Sequence, residues 1–386
     1  MLEDRTGGVD PIGEAEYRTR IQEARRLMGA NGLDAVFLAP GASLLYFTGT
    51  HWHPSERMVG ALLSESGELE YIAPAFEQDT LASFMKIAGE VHCWEEHESP
   101  YELLAERLRA RGLSRLGVDA SAPFFLVEGI RAACPQVEVA LATPVTQGCR
   151  ARKSRAELDI MQRAKDLTLE VHASVARILR PGICVEEVEA FIDEAHRAVG
   201  AAGSSFCIVL FGADSAYPHG VKQPKPLDQG DIVLIDTGCL LHGYNSDITR
   251  TYVLGEPTPR QRQVWDAEKT AQAAAFAAAS LGTPCGEVDL AARKAVEAAG
   301  FGPGYALPGL PHRTGHGIGL DIHEGPYLVA NDRTPLDEGM CFSNEPMICV
   351  PGEFGVRLED HFYMTADGPR WFTEPSHSID DPFGGI

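Results

Sequence analysis

Asp236 closes the apolar run Ile232-Val233-Leu234-Ile235, so a charged group directly follows a buried strand. A carboxylate there is unfavourable by several kcal/mol unless a partner neutralises it. Asp247 stands eleven residues further on, with Leu241-His242-Gly243 between them as a turn. A hairpin would therefore bring both acids onto facing positions of neighbouring strands. Two carboxylates a few ångströms apart do not both ionise without a cation. Thr314-Gly315-His316-Gly317-Ile318-Gly319 then sets one imidazole among glycines, which lets backbone approach a site closely while the ring points into it. Asn344-Glu345-Pro346 and Arg357-Leu358-Glu359-Asp360 each put a further acid at or within a strand. Four carboxylates and one imidazole without a thiolate form a hard, oxygen-rich ligand set, suited to Mn²⁺, Mg²⁺, Fe²⁺ or Co²⁺ more than to a structural zinc. Two divalent ions would balance the four negative charges, with a bridging water or hydroxide as nucleophile.

Other chemistries share fragments of this pattern. Asp236-Thr237-Gly238 matches the aspartic-protease triplet, but that mechanism needs two such acids sharing a proton, and a second copy is missing from the sequence. Gly315-His316-Gly317-Ile318-Gly319 lacks the lysine and spacing of a phosphate-binding loop. A Gly-x-Ser-x-Gly elbow does not occur. Taken singly, an Asp after a strand is most often a turn or cap residue; the set as a whole carries the argument.

The elements that must hold these groups fall into two parts. A chain of 386 residues with 44% hydrophobic content suits two domains or one large one. Residues 1–154 alternate helical and strand patterns, from a helix on Tyr17, Ile21, Ala24, Leu27 and Met28 closed by Gly32, through strands at 35–38, 61–63, 69–73, 116–118 and 137–139, with helices near 77–88 and 100–111. This predicts an α/β domain with a mixed sheet, and without a glycine-rich dinucleotide fingerprint. A basic cluster, Arg150, Arg152, Lys153 and Arg155, marks the boundary, and Ser154 with Glu157 forms a capping box opening the next helix. Residues 155–386 read as paired helices alternating with antiparallel strands, an α+β arrangement. Its strands fall at 206–211, 232–236, 248–254, 341–345 and 355–364, and its later helices run from Thr258 to Leu281 and from Gly286 to Ala299. The net charge of −22 disfavours nucleic acid and anionic membrane surfaces. Nine cysteines, none closer than eight residues to the next, suggest reduced thiols and a cytoplasmic setting. Neither a signal peptide nor a membrane span is expected.

In order, Asp236, Asp247, His316, Glu345 and Glu359 stand in motifs that resemble those of the pita-bread metallopeptidases (M24), the family of methionine aminopeptidase, aminopeptidase P and prolidase. The N-terminal α/β part is similar to the creatinase and prolidase N-terminal domain, which methionine aminopeptidases lack. The resemblance implies an α+β pita-bread catalytic domain holding two divalent metal ions, manganese foremost with cobalt, zinc or iron also compatible. It implies that Asp236 and Glu359 flank or bridge both ions, that Asp247 binds one, and that His316 and Glu345 complete the other side. Glu345 would also shuttle the proton. His219 and His323 look like the family's two non-ligand histidines that polarise the scissile carbonyl. His312 and Arg357 resemble residues that meet the substrate beyond the scissile bond, the guanidinium holding a proline carboxylate. The implied activity is Xaa-Pro dipeptide hydrolysis by a homodimer. Aminopeptidase P is the alternative, and a metal-free peptide-binding module is a third reading. Trp52, His53 and Arg57 form an aromatic and basic loop that such a dimer would use to gate a partner's site. One departure stands out: Cys349 lies where the family often has tyrosine. Since neither the metals nor the nucleophile depends on that hydroxyl, Cys349→Tyr should not raise kcat/KM a thousandfold, about 4 kcal/mol of barrier; steady-state kinetics of the variant checks this.

Overall fold

Local sequence decides where the first helix stops: Gly32 adopts the left-handed conformation (φ 62°) and ends α1 (Glu14–Asn31), with Tyr17, Ile21, Ala24 and Met28 buried. The computed structural model describes residues 2–383. Ile12–Arg150 form one compact unit; Met1–Pro11 together with Ala151–Ile386 form the other. The break therefore falls within the basic cluster, a few residues before the expected position at 154. The first described residues also pack with the C-terminal unit, where the Arg5 amide donates to the Val199 carbonyl (3.1 Å) and Arg163 donates to the Gly7 carbonyl (2.6 Å).

In the N-terminal unit α1 is followed by β1 (Ala35–Leu38), α2 (Ala42–Thr48), β2 (Gly60–Ser64), β3 (Glu70–Pro74), α3 (Gln78–Phe84), β4 (Glu90–Trp94), α4 (Pro100–Ala110), β5 (Arg115–Val118), α5 (Phe124–Ala133), β6 (Glu138–Leu141) and α6 (Thr143–Arg150). The sheet runs β4-β3-β2-β1-β5-β6. It is mixed, since β1 pairs antiparallel with β2 but parallel with β5. Phe37, Leu62, Ile72, Leu104, Leu108 and Leu116 join one buried cluster between sheet and helices.

The C-terminal unit opens with the capping box: Ser154 Oγ accepts from the Glu157 amide (3.2 Å) and the Glu157 carboxylate accepts from the Ser154 amide (2.9 Å), starting α7 (Arg155–Val175). It continues with α8 (Val185–Ala198), β7 (Ser204–Phe211), β8 (Ile232–Leu241), β9 (Tyr244–Asn245), β10 (Ile248–Val253), α9 (Pro259–Ala278) and α10 (Cys285–Ala298). The remaining strands are β11 (Gly315–Gly317), β12 (Glu324–Leu328), β13 (Cys341–Asn344), β14 (Met347–Val350), β15 (Phe354–Arg357), β16 (Asp360–Thr365) and β17 (Gly368–Trp371). Three antiparallel groups result, β10-β8-β7 with β9 on β8, β12-β11-β13-β16-β17, and the β14-β15 hairpin.

One strand ties these groups together. Thr249 Oγ1 of β10 donates to Glu359 Oε2 (2.8 Å), and Thr251 Oγ1 donates to the Arg357 carbonyl (2.6 Å). Between them Arg250, 1% exposed, donates to the Glu359 carbonyl (2.9 Å) and to Asp360 Oδ1 (2.7 Å). Burial pushes the Asp360 carboxyl up, and Arg250 opposes that rise. Removing one member of a buried ion pair leaves an uncompensated charge, so Arg250→Met should destabilise by about 3–5 kcal/mol, and the Arg250→Met/Asp360→Asn double variant should recover most of it, as read by urea unfolding.

Candidate active site

Each expected ligand sits where a strand turns or ends. Asp236 lies in β8 opposite Thr249 of β10, so Asp247, two residues before Thr249, is its diagonal neighbour rather than its direct opposite. Gly238 is required here, because a Cβ would stand 1.9 Å from the Ser246 carbonyl oxygen. His316 occupies β11 at an irregularity in the pairing with β12. Its Nδ1–H donates to the Gly317 carbonyl (3.0 Å), which turns Nε2 toward Glu345 Oε1 (3.2 Å) and Asp247 Oδ2 (3.7 Å). A Cβ on Gly315 would meet the Ser343 carbonyl oxygen at 2.1 Å, so the close approach inferred from the glycine spacing is present. Glu345 follows β13 immediately, and its amide donates to the Thr314 carbonyl (2.8 Å). Glu359 is fixed by Thr249, as above.

Ligand atoms of His316, Glu345 and Glu359 lie within 4.8 Å of one another, as do those of Asp247, His316 and His323, and those of Asp247, Glu359 and His361. Asp236 stands outside these groups, although it lines the same cavity. Its Oδ2 accepts from the Arg357 guanidinium at 2.5 Å, and its Oδ1 is buried without a hydrogen-bond partner. Arg357 is 3% exposed, and it also donates to Thr249 Oγ1 (3.1 Å) and the Pro218 carbonyl (3.4 Å).

The electrostatics follow from burial. Asp247 and Glu359 are pushed well above the usual carboxylate range, first by burial and then by repulsion from neighbouring acids. Burial also raises Asp236, against the pull of Arg357. Burial pushes Glu345 up too, but its bond to His316 and the nearby positive charge outweigh it and bring it down to about 2. Buried acids that repel one another, with Asp236 Oδ1 and Glu359 Oε1 both unpartnered, fit a site for divalent cations.

His219 and His323 line a cavity of about 480 Å³ with Phe206, Ile208, His312 and Arg313. The His323 ring lies 4.1 Å from that of His316; burial and His316 lower its pKa to about 4, so it is neutral near pH 7. His312 donates through Nδ1–H to the Arg313 carbonyl (2.7 Å), which leaves Nε2 as a buried acceptor without a partner. The loop carrying both residues is held by α10: Arg293 donates to the carbonyls of Leu310 (3.0 Å) and His312 (2.5 Å), and Asp289 accepts from Thr314 Oγ1 (2.7 Å).

A model of metallopeptidase family M24 matches residues 159–366, more than half of the chain. The chain belongs to metallopeptidase family M24. Residues 20–152 of this M24 peptidase match the creatinase/prolidase N-terminal domain. An Xaa-Pro dipeptidase of Pyrococcus furiosus is 30% identical over 94% of this chain and 99% of its own length. Dipeptidase PepE from Mycobacterium ulcerans superposes with a TM-score of 0.89 at 35% identity, over 96% of this chain and 98% of that one. A prolidase from Thermococcus sibiricus gives 0.85 at 29% identity, over 94% and 98%. The α+β catalytic unit, the N-terminal domain and the hydrolase class expected from the motifs are thus those of the family.

Spacing alone missed several groups at the site of the M24 peptidase. His361 and Arg313 belong to no ligand motif; Thr249 and Arg250 lie inside the Asp247 motif, but only their contacts reveal what they do. Cys349 is 1% exposed and packed in the catalytic unit's apolar core, its thiol pushed up to about 11 by burial, and it is not among the residues lining the cavity. Trp52 packs edge-on against Phe84 (6.2 Å between ring centres), and Arg57 pairs with Glu96 (3.0 Å), so this loop is anchored within the N-terminal unit.

The raised acids set a pH signature. In the metal-stripped protein Glu359 has a folded pKa above its ordinary 4.5, so its contribution to stability is full below that value and is lost as pH rises through the folded-state value. Between about pH 5 and about pH 8, Glu359→Gln should therefore gain Tm relative to wild type, while losing metal binding. Thermal unfolding after chelation measures it; a gain that shrinks with rising pH would contradict the site's electrostatics.

Proposed function

We propose that this M24 peptidase is an Xaa-Pro dipeptidase working with two divalent cations, manganese foremost. Asp236, Asp247, His316, Glu345 and Glu359 would hold the cations. When bound, these supply Lewis acidity and lower the pKa of water to the point where it is a nucleophile near neutral pH. Glu345, ionised across the working range, accepts the proton of the attacking water and returns it to the proline nitrogen. Neutral His323 offers an N–H to the scissile carbonyl, and His219, which lines the same cavity, offers another.

The observation that carries the choice of a dipeptide is Arg313. It lines the cavity and stacks on Tyr327 (4.4 Å from guanidinium carbon to ring centre), and no carboxylate pairs with it among the described residues. Arg357, the group first expected to hold the proline carboxylate, is engaged with Asp236 and Thr249. Recognition of a free carboxylate is therefore assigned to Arg313, and Arg357 holds Asp236 in place. Phe206, Ile208 and Pro311 supply apolar surface for the proline ring. Nine free thiols support a reducing, cytoplasmic setting, and among the described residues no helix is long and apolar enough to cross a membrane. A homodimer in which the Trp52 loop meets the partner's site completes the reading.

The test compares an Xaa-Pro dipeptide with an Xaa-Pro-Yaa tripeptide, with metal content measured alongside. A charged hydrogen bond contributes about 1.5–3 kcal/mol, so Arg313→Met should raise KM for the dipeptide by about 10-fold to about 100-fold with kcat nearly unchanged. Wild type preferring the tripeptide, with Arg313→Met affecting neither, would favour aminopeptidase P. Asp236→Asn and His316→Ala should lose bound metal, and full retention would remove the metal assignment.

A further inference from the structure

Glu359 and His361 are two residues apart along extended backbone, so their side chains share a face. His361 pairs across the sheet with Ser343 of β13. Ser343 Oγ accepts from the His316 amide (2.9 Å) and reaches Glu345 Oε1 (3.3 Å), so this face of β13 and β16 is the one that addresses the site. Phe362 takes the opposite face and pairs with Phe342 in the core. The sequence thus places an imidazole, rather than an apolar side chain, on the floor of the ligand cluster.

That imidazole is fully buried, and both of its nitrogens lack a hydrogen-bond partner among the described residues. Its Nε2 faces Glu359 Oε1 at 3.9 Å, too long for a hydrogen bond, and Glu359 Oε1 is itself buried and unpartnered. With Asp247 the two bring three ligand atoms within 4.8 Å of one another. Donor atoms that converge without bonding each other are the arrangement of ligands around a cation, and a buried imidazole left without partners is otherwise unfavourable.

We propose that His361 is a sixth protein ligand of the metal centre, binding a cation through Nε2 together with Asp247 and Glu359. The inference rests on the metal-site reading above and deepens it: His361 converges with Asp247 and Glu359 while His316 converges with Glu345 and Glu359, their rings 6.5 Å apart, so each of two cations would have one imidazole. An added nitrogen donor shifts preference from Mn²⁺ or Mg²⁺ toward Co²⁺, Zn²⁺ or Fe²⁺.

Chelator-stripped wild type, His361→Val and His361→Asn are titrated with Co²⁺ and separately with Mn²⁺ by calorimetry, and the visible absorption of bound Co²⁺ is recorded. Wild type should take up two equivalents. His361→Val should weaken one of them by about 10-fold to about 100-fold, more for Co²⁺ than for Mn²⁺, with a changed Co²⁺ band. If His361→Val does not fold, His361→Asn gives the same reading. Two equivalents bound to either folded variant with wild-type affinity and spectrum would overturn the role of His361 alone. Wild type that binds neither ion would overturn the metal centre itself.

Discussion

Four carboxylates gathered in a pocket with little access to water repel one another, and much of the C-terminal unit exists to hold them there. Asp247 and Glu359 carry that repulsion as acidity pushed well above normal. Asp236 is partly relieved by Arg357, and Glu345 by His316. Left to itself such a cluster would take up protons or swing its side chains outward. It does not swing outward because the backbone behind it is fastened: Thr249, Arg250 and Thr251 bind the segment 357–360 from β10, and Asp289 with Arg293 bind the segment 310–314 from α10. Divalent cations held there, as proposed, would supply the charge that the protein leaves uncompensated.

This division explains what was legible in the sequence. Candidate ligand positions could be read because an acid at the end of an apolar strand is anomalous, and because several such anomalies recur in a fixed order. Elements with strong local signals were equally legible, such as α7 with its capping box and α9 with Thr258 and Pro259. The short helices α2, α5 and α6 were not. Ala42–Thr48 shows no polar face, since five of its seven residues are buried, and the burial of β4 does not alternate. The expected helix at 77–88 ends at Phe84, because Met85 already adopts extended backbone. Such segments are shaped by what packs on them, and period alone cannot reveal that.

At the site the same limit applies. Asp247 and Thr249 stand two residues apart in one motif; one is placed to hold a cation, and the other holds Glu359. A motif records both without separating them. Spacing gives His361 no role because its meaning depends on register: its pairing with Ser343, whose hydroxyl touches the site, puts the imidazole on the face of Glu359.

The two arginines make the point most sharply. Arg357 sits in the motif with Glu359, and an arginine there invites a substrate-binding role. In the fold its guanidinium is surrounded by the Asp236 carboxyl group, a hydroxyl and a carbonyl, so three of its five donors have oxygen partners before a substrate arrives. Arg313 lies outside every ligand motif, yet it lines the cavity with its guanidinium carbon 4.4 Å from the Tyr327 ring centre and no carboxylate partner among the described residues. A cation–π contact of that kind restricts the guanidinium without using its hydrogen bonds, which leaves them available for bidentate capture of a carboxylate. Which arginine is free to read a substrate carboxylate thus depends on which one the protein has left unsatisfied, a property of the packed site that spacing in the chain does not contain.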